Sequence, residues 1–284
     1  MTELTELTDV TDPAEHRSSY RVSSIASSPE REIERLSAQV ELFWPDESRH
    51  YRDNGLRDGI AMVELGSGPG FTTGKILQLH PAIRVTAVEI DPLLVEVAGD
   101  RLSRAYGDRL DIVQASILDT GLPSDTYDFA LTRLVLEHLP DPVAAVREVA
   151  RILKPGGRAV FVDNDFEMHL MTSPHIPALA ELYGAYCRSR ADEGGNPTIG
   201  RELPGILGRG GLSAVTFTVV SAHSDIVGSK SFLGSEGVGI PTKLVRDGYL
   251  SGKALGEVAR SWRDLMRNDK HAILRQMYLS AGEK

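Results

Sequence analysis

The stretch Ile60-Ala-Met-Val-Glu-Leu-Gly-Ser-Gly-Pro-Gly70 constrains this chain more than any other. An apolar run ends in three glycines spaced two apart, and Phe71 to Leu79 then reads as a short helix. Strand, glycine turn and helix is how α/β proteins bring bare backbone up to a nucleotide-like ligand. Spacing excludes two common versions. The dinucleotide pattern G-x-G-x-x-G needs a third glycine where this chain has Phe71, counted from Gly66, or Thr73, counted from Gly68. The phosphate-binding G-x-x-x-x-G-K-[ST] pattern fails around Gly74-Lys75, because Pro69 takes its first position and Ile76 its last. What remains is Glu64-x-Gly66-x-Gly68-x-Gly70.

The chain around this turn alternates strand and helix. Residues 1–27, rich in Ser, Thr, Asp and Glu, read as a mobile arm whose exception is the aromatic island at Tyr20. Ser28-Pro29 is a helix cap followed by proline, and Ile33, Leu36, Val40 and Phe43 predict a helix of about 14 residues, stopped by Trp44-Pro45. Strands are predicted at about 60–65, 83–89, 110–115, 127–132 and 158–162, with helices opened by Asp91-Pro92 and Asp141-Pro142. After Asp163 the rhythm breaks. Residues 166–197 and 225–270 read as helical cap insertions around a sixth strand, Leu212 to Ala222, and Ala272 to Leu279 is a candidate seventh. Strands alternating with helices of this length predict a mostly parallel sheet covered on both faces.

Composition narrows the function classes. The chain has 284 residues, 41% of them hydrophobic, which suits one large domain with insertions. A formal net charge of −9 argues against a protein that holds nucleic acid by neutralising phosphates. The single cysteine, Cys187, excludes an intrachain disulfide and fits a reducing cytoplasm. No signal segment is visible, no apolar run approaches the roughly 20 residues a membrane span needs, and no metal-ligand spacing appears. The expectation is a cytoplasmic protein acting on a small molecule, without nucleic acid, membrane or metal as partner. Exchange of the N-terminal arm would offer a route to a homo-oligomer.

Four segments in order carry a family resemblance. Val63-Glu-Leu-Gly-Ser-Gly-Pro-Gly70 resembles the first motif of class I S-adenosylmethionine-dependent methyltransferases. Glu89, 19 residues past Gly70, stands where that family places the acid that binds both ribose hydroxyls. Thr132-Arg-Leu-Val-Leu-Glu-His-Leu-Pro-Asp-Pro142 and Arg151-Ile-Leu-Lys-Pro-Gly-Gly-Arg158 are similar to its strand-four loop and strand-five approach. The resemblance, strong over 57–165, implies a Rossmann-like methyltransferase domain over 28–284 of the type that tailors bacterial natural products. It implies S-adenosylmethionine as cofactor, with S-adenosylhomocysteine as product. It places Glu64, Gly66, Ser67, Gly68, Gly70, Glu89, Ile90, Ser116, Ile117 and Arg133 around the cofactor, with Tyr20 on a lid above it. One departure is Ser116, where the family usually has Asp for the adenine amino group.

Methyl transfer from a sulfonium asks the protein mainly for alignment, so a missing catalytic dyad does not count against an enzyme. Candidate bases are His138, Asp165 and His169, at the carboxyl edge of the sheet. Phe166, Met171, Tyr183 and Tyr186 are expected to line an apolar acceptor pocket under the cap. The acceptor is read as a small, fairly apolar secondary metabolite, methylated on carbon of a prenyl or alkene group. O- or N-methylation and a non-catalytic binding protein are the alternatives.

Overall fold

The computed structural model describes residues 28–237 and 239–284. It opens with α1 (Pro29–Asp53), capped by the Ser28 hydroxyl, which accepts from the Arg31 N–H. This helix does not stop at Trp44-Pro45 but runs through Pro45 for 25 residues. A proline inside a helix loses one backbone hydrogen bond and costs about 3 kcal/mol or more. Tertiary contacts offset that cost, because Phe43, Glu47 and Tyr51, four residues apart on one face, are all buried against the sheet.

The sheet follows as β1 (Ala61–Leu65), α2 (Phe71–Leu79), β2 (Arg84–Glu89), α3 (Pro92–Tyr106), β3 (Leu110–Gln114), β4 (Tyr127–Arg133), α4 (Pro142–Ile152) and β5 (Leu153–Asp163). These five strands pair in parallel in the order β3-β2-β1-β4-β5. The order reverses between β1 and β4, the switch point at whose carboxyl edge α/β sheets bind ligands. Asp91 and Asp141 cap α3 and α4 with their side chains, as the Asp-Pro pairs predict. β5 starts earlier than its predicted Arg158, because Leu153 already pairs with Tyr127 across a register shift.

The second half adds β6 (Leu170–Ser173), α5 (Ala178–Asp192), α6 (Leu203–Arg209), β7 (Ser213–His223), α7 (Ser224–Val227), α8 (Ser229–Glu236), α9 (Gly239–Arg246), α10 (Gly252–Arg267) and β8 (Ala272–Glu283). Among the described residues the sheet therefore has eight strands, one more than the seven read from the sequence. The unpredicted strand is β6, four residues of Leu-Met-Thr-Ser without alternation, defined by its pairing with Ala272–Arg275 of β8. β8 runs antiparallel to β5, β6 and β7, so it alone opposes the common direction. Helices α5, α8, α9 and α10 form a cap over the switch-point edge, and their apolar faces join the core on one side of the sheet. Among the described residues no helix is long and apolar enough to cross a membrane.

The helix α1 is fastened by charge as well as by apolar packing. Arg133 at the end of β4 donates to both carboxylate oxygens of Glu47, at 3.1 and 2.9 Å, and Tyr51 donates to Glu47 at 2.9 Å. Both charged groups are almost fully buried. Glu47→Ala leaves Arg133 buried without its carboxylate, and a loss of about 3–5 kcal/mol is expected. Urea unfolding of Glu47→Ala beside the double replacement Glu47→Leu/Arg133→Met checks this: the double variant should lose much less than the single one.

Candidate functional site

The carboxyl edge of the sheet holds a cleft floored by the glycine turn. Val88 of β2 accepts from both Gly66 N–H (2.8 Å) and Ser67 N–H (3.0 Å), so the turn is tied to the neighbouring strand. Gly66, Gly68 and Gly70 have φ of 72°, 55° and 73°, in the left-handed region that glycine enters freely. A Cβ on Gly66 would come within 2.3 Å of Val135, and one on Gly70 within 2.7 Å of Leu102. Gly68 has nothing within 4 Å of that position, so its bare backbone faces the cleft.

Glu89 locks the turn from β2. Its carboxylate accepts from Gly68 N–H at 2.8 Å, Ile90 N–H at 2.8 Å and Asp91 N–H at 2.9 Å. A carboxylate accepts about four hydrogen bonds, so capacity for one more remains. Burial raises its pKa, and the three N–H donors oppose that rise. Glu64 lies behind the turn, buried, accepting from the Thr73 hydroxyl of α2. Ser67 lines the cleft with a buried hydroxyl that has no hydrogen-bond partner among the described residues. The Ser116 hydroxyl accepts from Leu118 N–H at 3.1 Å, which shapes its own loop, and Ile117 and Ile90 line the same end of the cleft.

The loop after β4 supplies Arg133, Val135, Glu137 and His138 to the wall, and Leu134 there takes a φ of 58°, unusual for a branched side chain. Burial and the nearby Arg190 and Arg35 cations push His138 well below the ordinary histidine range, so the ring is neutral. Glu137 and Asp163 are buried together. Burial and the Glu137 charge hold Asp163 far above the usual carboxylate range, against the backbone N–H groups it accepts from.

The loop after β5 and the cap complete the wall. His169 lines the cleft and stacks on Phe166, ring centroids 4.4 Å apart. Arg275 of β8 donates from Nε to His169 Nε2 at 3.1 Å. Glu236 of α8 accepts from the Tyr183 hydroxyl at 3.0 Å and lies 3.1 Å from Arg275 Nε. Burial would raise Glu236, but Arg275, with His169 and Tyr183, overrides it and holds the carboxylate far below its usual range. Beyond this cluster lies a second cavity of about 620 Å³, lined mainly by apolar cap residues such as Leu182, Leu244, Val258 and Trp262. Phe166, Tyr186, Glu236 and Ile240 line both spaces.

Not every candidate residue reaches this site. Asp165 is fully buried, but Arg201 and the Glu167 N–H take its oxygens and it does not line the cleft; it is a fastening of the cap loop, not a base. Met171 is 43% exposed on β6, because the strand's alternation turns it out while Leu170 turns in. Tyr183 does line the cap cavity, together with Phe166 and Tyr186. Tyr20 lies outside the described residues. The residues missed are Glu137, Arg190, Glu236 and Arg275, of which Glu137 and Arg275 interrupt the apolar runs Leu134-Val-Leu136 and Ile273-Leu274. Their isolation there was the available signal, since a polar residue in a core position needs a partner or a ligand.

Residues 63–161 match a family described as Methyltransferase domain. A Streptomyces fradiae protein described as an uncharacterized 37.1 kDa protein in transposon TN4556 is 28% identical over 202 residues, covering 68% of this chain and 57% of that one. The ubiquinone/menaquinone biosynthesis C-methyltransferase of Hahella chejuensis is 27% identical over 135 residues, covering 47% of this chain and 51% of its own. The chain thus spans about half the length of the curated relatives it matches. The geranyl diphosphate C-methyltransferase of Streptomyces coelicolor A3(2), solved with Mg2+, geranyl-S-thiolodiphosphate and S-adenosyl-L-homocysteine, aligns with a TM-score of 0.53 at 16% identity. That alignment covers 84% of this chain and 75% of the other, and it is a likeness of fold.

Burial raises Glu64 from 4.5 to about 7, against the Thr73 hydrogen bond. The folded value lies above the unfolded one, so between these pH values the native state keeps a proton that the unfolded chain has lost. Stability is then expected to fall from pH 4.5 to 7, by at most roughly 3 kcal/mol, and to change little from this group above pH 7. Denaturant midpoints at pH 5 and pH 8 check this, and Glu64→Gln should flatten the difference.

Proposed function

We propose, from the premise that residues 63–161 carry a methyltransferase domain, that this protein methylates a small, fairly apolar acceptor of the secondary-metabolite kind with S-adenosylmethionine. One observation carries the reading: the cofactor cleft and the apolar cap cavity share Phe166, Tyr186, Glu236 and Ile240 as a common wall. An acceptor with its body in the cap reaches the cleft across that wall. Cavities of a few hundred Å³ with apolar linings and few polar groups are the usual form of small-molecule sites.

The residues fit the cofactor. Gly68 presents bare backbone, Glu89 keeps acceptor capacity for the ribose hydroxyls, and the partnerless Ser67 hydroxyl remains for a polar atom of the bound group. Ile117 and Ile90 give the adenine end apolar contact, while Ser116, engaged with Leu118, leaves it without the usual carboxylate. When bound, S-adenosylmethionine supplies an activated sulfonium methyl and leaves as S-adenosylhomocysteine.

The chain's own part is alignment and exclusion of water. Transfer to carbon of a prenyl or alkene group is the preferred chemistry. The acceptor's π electrons would form the new C–C bond as the methyl–sulfur bond breaks with its electrons onto sulfur, and the carbocation would then pass a proton to water or to the neutral His138 ring that lines the cleft. Phe166 and Tyr186, ring centroids 4.1 Å apart, offer aromatic faces to that charge, with the ionised Glu236 behind them. The acidic chain, with a net charge of −9, supports a small-molecule rather than a nucleic-acid acceptor, and lone Cys187 suits the cytoplasm.

The test is transfer of a labelled methyl group from S-adenosylmethionine to a panel of prenyl, phenolic and amine acceptors, followed by product analysis. Label on carbon supports the preferred chemistry, and label on oxygen or nitrogen moves the proposal to that atom. Tight cofactor binding without transfer to any acceptor would sink the enzyme reading in favour of a binding protein. Trp262→Ala, which opens the cap cavity, should lower kcat/KM for the acceptor by about tenfold while leaving the S-adenosylhomocysteine Kd within about twofold.

A further inference from the structure

The cap cavity has two unlike ends. Phe166, Tyr186, Glu236 and Ile240 form the end it shares with the cofactor cleft, and the Tyr183 hydroxyl is bound to Glu236 there. At the other end the lining residues Leu233 of α8, Thr242 of α9, and Ala259 and Arg263 of α10 are exposed, so the cavity opens to solvent between these three helices. Between the ends the walls are aliphatic and aromatic, with Leu182, Leu244 and Val258 buried in them. Charged and hydroxyl-bearing side chains among the described lining residues therefore stand at the inner wall and at the mouth, not along the passage. Helix α10 gives Leu255, Val258, Ala259 and Trp262 to this passage, at the spacing of one helix face. It gives nothing to the cleft, whereas α5, α8 and α9 line both spaces.

Volume and lining together set the shape of an occupant. A water takes about 30 Å³ of its liquid and a carbon with its hydrogens fills a similar space, so the cavity's 620 Å³ holds roughly 20 heavy atoms. A CH₂ group buried along the passage gains about fourfold in affinity. A polar atom placed there leaves water without meeting a partner, which costs about fivefold or more. We infer that the acceptor carries an uninterrupted apolar body of roughly 15–20 heavy atoms, lying from the cleft wall to the mouth between α8, α9 and α10. Any polar group remote from the reacting end stands at that mouth. The α10 face determines specificity, with Val258 in the wall and Ala259 at the mouth setting how long a body the passage takes. This rests on the function proposed above and narrows its acceptor from small and apolar to long-chained, excluding molecules with polar atoms along their length, such as glycosides and peptides.

Occupancy of the passage can be read without turnover, from the fluorescence of Trp262 in Trp44→Phe protein saturated with S-adenosylhomocysteine. Trp44 and Trp262 are the chain's two tryptophans, and Trp44, packed edge-on against Tyr51, lines neither space. The probes are geraniol, farnesol and geranylgeraniol, which share a head group and lengthen by an isoprene unit at each step. Pentaethylene glycol, of similar length to farnesol but with ether oxygens along it, is the fourth. Farnesol should bind at least about tenfold more tightly than geraniol or pentaethylene glycol. Geranylgeraniol should bind no more weakly than farnesol, because the mouth is open. Val258→Phe should weaken farnesol and geranylgeraniol by about tenfold, with geraniol and S-adenosylhomocysteine held within about threefold. Ala259 is exposed, so Ala259→Phe keeps the fold, and it should weaken geranylgeraniol more than geraniol. Equal binding of geraniol and farnesol, tight binding of pentaethylene glycol, no response to any probe, or a length order that neither variant changes overturns the inference. Absence of methyl transfer while the length order persists would overturn the enzyme reading alone.

Discussion

Everything at the ligand edge depends on how the glycine turn is held to β2. The Val88 carbonyl accepts two consecutive backbone N–H groups from Gly66 and Ser67, and the next residue, Glu89, accepts from Gly68. The turn is therefore fastened through backbone groups and one carboxylate, while its own side chains are absent or small. That leaves the other face of the turn bare. A left-handed φ at three alternate positions makes this backbone path accessible to glycine and costly for other residues. The same carboxylate that fastens the turn retains acceptor capacity for a ligand, so the two tasks of Glu89 share one group.

Behind and above the turn, charge is buried in pairs. Arg133 with Glu47 ties α1 over β4, and Arg275 with Glu236 ties the cap helix α8 to β8. Buried pairs of this kind add little net stability relative to apolar packing, but removing one partner is expensive. Their value here is positional. Each joins segments distant in the chain, and Arg133, Glu236 and Arg275 lie in the wall of the cleft. Arg275 also reaches the Ser235 hydroxyl and stands over the Phe43 ring, so one cation links β8, α8 and α1 around the His169 imidazole.

Much of this was legible in the chain. The alternating strands, the Asp-Pro caps and the Glu64-to-Gly70 turn follow from local rules of period, proline geometry and glycine freedom, and the five parallel strands lie close to where those rules put them. Glu89 was legible because its spacing from the turn is fixed by one helix and one strand. Asp165 and Met171 were misplaced for a common reason. Neither sits in a segment whose period the sequence shows, Asp165 in a loop and Met171 on the four-residue strand β6, so nearness in sequence to His169 did not say which way each side chain turns. Pro45 misled in the opposite sense, since a local rule for stopping a helix gave way to burial of Glu47 and Tyr51 beyond it.

The sequence by itself determined the five parallel strands and the turn, because those follow local rules of period and glycine freedom, and its family resemblance implied the kind of ligand. Only the tertiary structure decided the cap-side wall of the cleft. Glu137, Asn164, His169, Glu236 and Arg275 come from two loops, a cap helix and the last strand, and their hydrogen bonds cross as many as 106 residues of chain. No local pattern encodes which nitrogen of His169 carries the proton. Packing β8 alongside the cap places Arg275 Nε at 3.1 Å and Glu236 Oε2 at 3.3 Å from the same His169 nitrogen.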